Sequence, residues 1–168
     1  AHEAAKEHDL KLLVRSQFRV DSAAPFTLAV LACNLNGYGN LCEFITKLRR
    51  ASEKGTYHLD LGDIASDELA DCVVVASPVR GSTDAQLVGL ARWLLTNFTG
   101  RCWLGVELLR QLDDEMWLHK LREASDLSAI PLVAVGDVYM HVRSRKALHD
   151  VMTAIRTGRP LTECGREL

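Results

Sequence analysis

The sequence predicts an α/β fold in which parallel strands alternate with helices. Short apolar runs, of the length and β-branched composition typical of buried strands, recur along the chain. Between them lie amphipathic stretches with the 3.6-residue period of a helix. The 168 residues, 48% of them hydrophobic, are enough for one domain with its own core. Five such strands are compatible with an open sheet or with part of a barrel.

The first part of the chain predicts two helices and two strands. Residues 1–7 form a helical tail before a strand at 10–14, and a near-continuous apolar run predicts a buried strand at 26–33. The turn at 36–40 leads into a helix whose apolar residues recur at i, i+3, i+4 and i+7. This stripe consists of Leu41, Phe44, Ile45 and Leu48.

Three further strand–helix units follow. Strand 72–76 leads through the loop-like interval 77–84 to a helix that opens with a capping box, Thr83-x-x-Gln86. Strand 102–106 precedes a helix at 113–125 with an acidic first turn, and strand 131–135 precedes a last helix at 144–157. Gly158 is expected to end that helix. Its expected inward side chains are Leu148, Val151, Met152 and Ile155.

Composition excludes several classes of protein. A formal charge of −2 gives no general support for tight nucleic-acid binding, and no apolar stretch approaches the roughly 20 residues of a membrane helix. Five scattered cysteines without a CxxC motif predict reduced thiols in a cytoplasmic protein. The chain begins without Met on residues typical of a helix interior, so we expect a fragment of a longer protein.

Candidate functional residues follow the predicted strands, because α/β sites form at the carboxyl ends of strands. Asp137 is the most site-like carboxylate, although it could instead cap a loop or pair with Arg143 or Arg145. GxGxxG, P-loop and GxSxG motifs are absent from the sequence, and the histidines form no ligand pattern. Residues at predicted strand ends are Arg15, Ser16, Gln17, Asn34, Ser77, Pro78, Glu107, Asp137, Val138 and Tyr139.

One segment carries a specific resemblance. Residues 136–146, GDVYMHVRSRK, together with NGYGNL at 36–41, resemble the PHP (polymerase and histidinol phosphatase) domain of error-prone C-family DNA polymerases, relatives of the bacterial DNA polymerase III alpha subunit. The resemblance covers nearly the whole chain. It implies a distorted seven-stranded β/α barrel whose first strands, with a His-x-His pair, lie upstream of Ala1. Residues 1–168 are thus expected to be a single, N-terminally truncated PHP-like domain without palm or fingers.

The resemblance also implies a degenerate metal site. PHP enzymes hold divalent metals with His, Asp, Glu and Cys at strand ends, and this chain keeps one ligand, Asp137. At four other family positions stand Gln17 for Glu, Thr27 for His, Pro78 for Cys and Tyr139 for His. Arg15 adds positive charge nearby. Because metal affinity needs several ligands acting together, we predict a segment that binds no metal and is not catalytic.

The implied function is a structural part of a damage-induced, translesion DNA-directed DNA polymerase, a nucleotidyltransferase using Mg²⁺ in its palm. Its partners would be the rest of the polymerase chain, DNA through the full-length protein and other mutagenesis-complex proteins, with no membrane. A basic surface could contact phosphate or a partner, or be a solvated helix face: Arg143, Arg145, Lys146, Arg156, Arg159 and Arg166. The alternatives are a phosphoesterase or 3′–5′ proofreading nuclease using Mn or Zn, and a freestanding interaction module.

Overall fold

Five strands form one sheet in the order β1-β2-β3-β4-β5. The computed structural model describes residues 2–136 and 138–165. The chain divides into a first unit, Ala1–Val135, which contains the sheet, and a second unit, Gly136–Leu168. The strands are β1 Arg15–Val20, β2 Phe26–Ala32, β3 Cys72–Pro78, β4 Cys102–Glu107 and β5 Leu132–Val135.

The sheet is mixed, so the expectation of a parallel sheet is only partly correct. β1 pairs with β2 and β2 with β3 in antiparallel fashion, whereas β3, β4 and β5 are parallel. The link 21–25 between β1 and β2 is too short for the crossover that parallel strands require. The described strands form an open sheet with edges at β1 and β5, and the expected seven-stranded barrel is not formed by them.

The first strand lies later than predicted. The apolar residues 10–14 precede it, and Leu10 and Leu13 are exposed. In β1 only Phe18 and Val20 are fully buried, and they alternate with the exposed Arg15, Gln17 and Arg19. The strand therefore has the alternating pattern of a sheet with one covered face, which the search for continuous apolar runs does not detect.

The helices of the first unit agree with the predicted periodicity. They are α1 His2–Glu7, α2 Leu35–Arg50, α3 Asp84–Asn97 and α4 Asp114–Ser128. The Asn34 side chain caps α2 by accepting a hydrogen bond from the Gly37 amide at 2.9 Å. The predicted capping box of α3 is confirmed: Gln86 Oε1 accepts from the Thr83 amide at 2.8 Å, and Thr83 Oγ1 accepts from the Gln86 amide at 3.3 Å.

The core lies on one face of the sheet, between the strands and α2, α3 and α4. Leu28, Val74 and Leu104 on this face are fully buried and belong to one hydrophobic cluster with Phe44 and Leu94 from the helices. The opposite side is called the second face here. It carries the strand residues of the other parity, which are half-buried or exposed except for Gly105. Its residues include Gln17, Thr27, Ala29, Val75, Ser77, Trp103, Gly105 and Glu107.

In its described residues, 136 and 138–165, the second unit contains one α-helix, α5 Lys146–Thr157, between the 3₁₀ turns Arg143–Arg145 and Leu161–Glu163. Gly158 ends α5 with a left-handed φ of 65°, as predicted. The prediction that its apolar residues point inward is wrong. Thr153 is the buried residue of α5, because a unit with a single helix has no second layer to cover an apolar stripe. The exposed fractions are 55% for Leu148, 44% for Val151, 62% for Met152 and 75% for Ile155.

Each helix in the described part of the chain is too short or too polar to traverse a bilayer.

Candidate functional site

Gln17 lies on the second face, halfway along the edge strand β1. Its register partner is Ala29, which pairs with Val75, which in turn pairs with Trp103. Partners across a ladder share a face, so the neighbours of Gln17 along this row are apolar. Along β1 it lies between Arg15 and Arg19, both exposed on the same face. The amide at this position is therefore next to hydrocarbon and two guanidinium groups.

Small polar residues line the carboxyl edge of the sheet. Thr27 pairs with Ser77 on the second face. A Cβ atom built on Gly105 would meet Ser77 Oγ at 2.4 Å, so the Ser77 hydroxyl lies directly above Gly105. Glu107, next along β4 on this face, pairs with Val135. The edge thus offers two hydroxyls and one carboxylate.

Arg80 occupies the loop that follows β3 at this edge. Its Nη1 donates to Asp113 Oδ1 at 2.9 Å, its Nη2 donates to Asp114 Oδ1 and to the Glu107 carbonyl, and the guanidinium lies 6.0 Å from the Trp117 ring centre. Desolvation alone would lower the pKa of Arg80, but the two aspartates outweigh it and raise that pKa. For Asp114 the directions are reversed: desolvation alone would raise its pKa, but the hydrogen bond from Arg80 outweighs desolvation and the pKa is lowered. The charge of Arg80 is therefore taken up by ion pairs with Asp113 and Asp114.

Only some of the residues predicted at strand ends lie together at the carboxyl edge of the sheet. Because β1 starts at Arg15, Arg15, Ser16 and Gln17 lie at its beginning rather than after a strand. Because β2 is antiparallel, Asn34 lies at the opposite sheet edge, where it caps α2. The prediction that places them at the carboxyl edge is therefore wrong, whereas Ser77 and Glu107 do lie there.

The five predicted remnants of a metal site are not all brought together. Gln17 and Thr27 share the second face, but Pro78 pairs with Phe26 on the helix-covered side, and Ser77 stands beside Thr27 instead. Tyr139 belongs to the second unit, where its ring centre lies 5.1 Å from that of His149. Asp137 lies outside the described residues.

The donors that the structure describes, which leave out Asp137, do not by themselves fit a divalent cation. Across residues 2–136 and 138–165, no three His, Cys, Asp or Glu side chains come close enough together to hold a metal ion. Dications in proteins are bound by several charged oxygen, imidazole or thiolate ligands. The described donors, an amide, two hydroxyls and one carboxylate, carry a single negative charge among them.

A charged cluster at the end of β1 was missed by the sequence reasoning. His58 Nε2 lies 3.0 Å from Asp60 Oδ2, and His58 Nδ1 lies 3.3 Å from Asp21 Oδ2. The hydrogen bond to Asp60 and the charges of Asp60, Asp21 and Asp63 raise the pKa of His58. The spacing Asp60-x-x-Asp63 of a capping box was the available signal, since the Asp63 carboxylate accepts from the Asp60 amide at 3.0 Å.

A groove of about 650 Å³ lies in the second unit. Of the predicted basic surface, Arg145 and Arg156 line the groove, Arg143 and Arg159 are exposed, and Lys146 pairs with Asp150 at 2.8 Å. Arg166 lies outside the described residues. The lining residues are Tyr139, Met140, His141, Arg145, Leu148, His149, Met152, Thr153 and Arg156.

Comparison with known proteins gives one consistent result. The chain is 40% identical along its whole length to the error-prone DNA polymerase of Bordetella parapertussis, of which it covers 17%. The values are 40% identity and 16% coverage for the Methylococcus capsulatus protein of that name, and 42% and 16% for that of Pseudomonas aeruginosa. No family model matches. The resemblance to error-prone polymerases is confirmed, and the chain spans about one sixth of these relatives.

Proposed function

We propose that this chain, a relative of error-prone DNA polymerases along its whole length, is a structural segment of such an enzyme and is not itself catalytic. The observation that carries the proposal is the 40% identity over 100% of the chain. The relatives are about six times longer, so DNA-directed DNA synthesis with Mg²⁺ would belong to the complete protein. Its partners would then be the other polymerase domains, DNA through those domains, and other proteins of damage-induced mutagenesis.

The proposed architecture is a PHP-type barrel. In a β/α barrel the helices lie outside and the inward strand faces pack against one another. The described sheet has this asymmetry, since its helices pack on one face and the second face presents apolar side chains such as Ala29, Val75 and Trp103. Further strands of a longer polypeptide would cover that second face.

The proposed module holds no metal. Gln17 offers a neutral amide oxygen where the family has a carboxylate, and Arg15 and Arg19 flank it on the same face. Each guanidinium adds positive charge, which opposes the binding of a dication at this position. A cytoplasmic location is consistent with five cysteines, all of them unpaired thiols.

Metal analysis by mass spectrometry, on protein purified without chelators, tests this proposal. We expect less than about 0.1 equivalent of Mn, Zn or Fe per chain, and no Mn-dependent release of nucleotides from a single-stranded oligonucleotide. The Asp137→Ala variant should give the same values. Stoichiometric metal that is lost in Asp137→Ala would overturn the proposal in favour of a PHP phosphoesterase or proofreading nuclease.

Reintroducing one ligand provides a sharper control. Gln17→Glu restores the carboxylate of the family, and Gln111→Glu makes the same change at an exposed loop residue outside the strands. Because affinity requires several ligands together, neither variant should bind Mn²⁺ in equilibrium dialysis. Tight Mn²⁺ binding by Gln17→Glu alone would show that the other ligands are still in place.

A further inference from the structure

The groove of the second unit combines an aromatic and apolar floor with cationic ends. Arg145 and Arg156 are eleven residues apart on one side of α5, about 16 Å along the axis at roughly 1.5 Å per residue. Leu148 and Met152 lie between them on the same side, and both are more than half exposed. The Tyr139 ring, 69% exposed, leans on His149 at 5.1 Å with the two planes inclined by 56°.

The charge of this unit differs from that of the rest of the chain. Residues 136–168 contain six Lys and Arg against four Asp and Glu, a formal charge of +2, whereas residues 1–135 carry −4. The acidic side chain on α5, Asp150, does not line the groove and is paired with Lys146 at 2.8 and 2.9 Å. Asp150 Oδ1 also lies 3.7 Å from Nδ1 of the groove residue His149. Among the described residues, the lining of the groove contains two guanidinium groups and no carboxylate, and this composition favours an anionic ligand.

A ligand for this groove must present flat apolar groups together with negative charge. Single-stranded nucleic acid has this chemistry, since bases stack on aromatic rings and phosphates pair with guanidinium groups. Duplex DNA does not, because its bases are stacked inside the helix. A groove of about 650 Å³ is large enough for one or two bases.

We propose that the groove formed by Tyr139, His149, Met152, Arg145 and Arg156 binds single-stranded nucleic acid, with bases on the Tyr139–His149 side and phosphates on the arginines. This proposal rests on the proposed function, because a segment of a polymerase would meet the unpaired template strand. It assigns a contact to a particular groove and a particular form of nucleic acid.

Fluorescence anisotropy of a labelled 15-residue oligothymidylate, titrated with the 168-residue chain at 50 mM salt, tests the site. We expect Arg145→Gln/Arg156→Gln to weaken binding about tenfold or more. The slope of log K against log salt should fall by about 1.4, at roughly 0.7 for each phosphate that is no longer neutralised. Tyr139→Leu, which keeps an apolar side chain but removes the ring, should weaken binding about fivefold or more.

Two variants serve as matched controls. Ile155→Ala removes an exposed apolar side chain of α5 that does not line the groove, and Arg92→Gln removes an exposed cation of α3 in the first unit. Both should bind within about twofold of the parent chain. Duplex competitor of the same sequence should displace the oligonucleotide at least tenfold less well than unlabelled single strand.

Cross-linking with a 5-iodouracil oligonucleotide gives a readout that does not depend on how any variant folds. Adducts are expected at Tyr139, His149 or Met152. The proposal is overturned if the parent chain does not bind, if adducts are confined to residues 1–135, or if Tyr139→Leu binds like the parent. It is equally overturned if polyglutamate competes as well as oligothymidylate, because the groove would then suit an acidic peptide. None of these results alters the metal measurement, so the two proposals fail separately.

Discussion

Gly37 and Gly39, two residues apart in α2, should respond in opposite directions to the same substitution. A Cβ atom at Gly37 would lie 2.1 Å from the Asp71 carbonyl oxygen and 2.8 Å from its carbon. That carbonyl cannot easily retreat, since it accepts a hydrogen bond from the Cys33 amide at 2.9 Å and Asp71 has a left-handed φ of 57°. A Cβ atom at Gly39 would meet nothing within 4 Å.

The magnitude follows from the two local terms. In Gly37→Ala, α2 and the backbone at Asp71 must separate by more than about 1 Å to reach ordinary contact. This costs about 1–3 kcal/mol as overpacking and about 1 kcal/mol for a weakened Cys33–Asp71 hydrogen bond. The helix propensity of Ala returns about 1 kcal/mol. We expect Gly37→Ala to lower the free energy of unfolding by about 2 kcal/mol, and Gly39→Ala to raise it by up to about 1 kcal/mol.

Urea unfolding followed by tryptophan fluorescence measures this difference, because Trp93, Trp103 and Trp117 all belong to the first unit. Equal m-values for parent and variants would show that the compared transitions expose similar surface. A Gly37→Ala chain as stable as Gly39→Ala would refute the close approach of α2 to Asp71, and with it the packing that places Cys72 Sγ 3.2 Å from the Gly37 carbonyl.

Two further predictions concern single side chains. Arg101 donates to the carbonyls of Ser66, Leu69 and Cys72 at 2.6–2.9 Å. Because the single ammonium of a lysine cannot replace these bonds, Arg101→Lys should lower the free energy of unfolding in urea by about 2–3 kcal/mol, against less than about 0.5 kcal/mol for the exposed Arg92→Lys. Equal losses in the two variants would contradict this prediction. Because the Asp60 hydrogen bond raises the pKa of His58 above its usual 6.5, the stability it adds is complete below about pH 6.5 and is lost as pH rises through the raised pKa. His58→Gln should remove this part of the pH dependence of unfolding, and an unchanged profile would show that the cluster does not form.

Strands β2 to β5 and the helices were predictable because their signals are local. The apolar stripe of α2 and the capping box of α3 depend on residues within a few positions of one another. The position of β1 depends instead on which of its alternating residues face the core. The continuous apolar run at 10–14 matched the expected pattern of a buried strand better than the alternating residues of β1 did. Once Phe18 and Val20 are recognised as the buried pair, the short link 21–25 predicts the antiparallel pairing.

In the candidate site too, the direction of the side chains was harder to predict than the strands themselves. The family resemblance points to Pro78, yet strand parity places Ser77 on the second face, because Ala76 is fully buried on the other. That signal was present in the sequence, since a strand that continues past Ala76 alternates. The orientation of α5 had no comparable signal: its amphipathic pattern shows that one side is apolar, but not whether anything covers it.

The second face and the groove of the second unit differ in the charges that their described residues carry. On the second face Arg15 and Arg19 flank a neutral amide, and at the carboxyl edge Asp113 and Asp114 both pair with Arg80. In the second unit the acid of α5 is paired with Lys146, and Arg145 and Arg156 line a groove with an aromatic floor. The proposals of a metal-free second face and of a phosphate-binding groove therefore rest on local charge, and not on the net charge of −2.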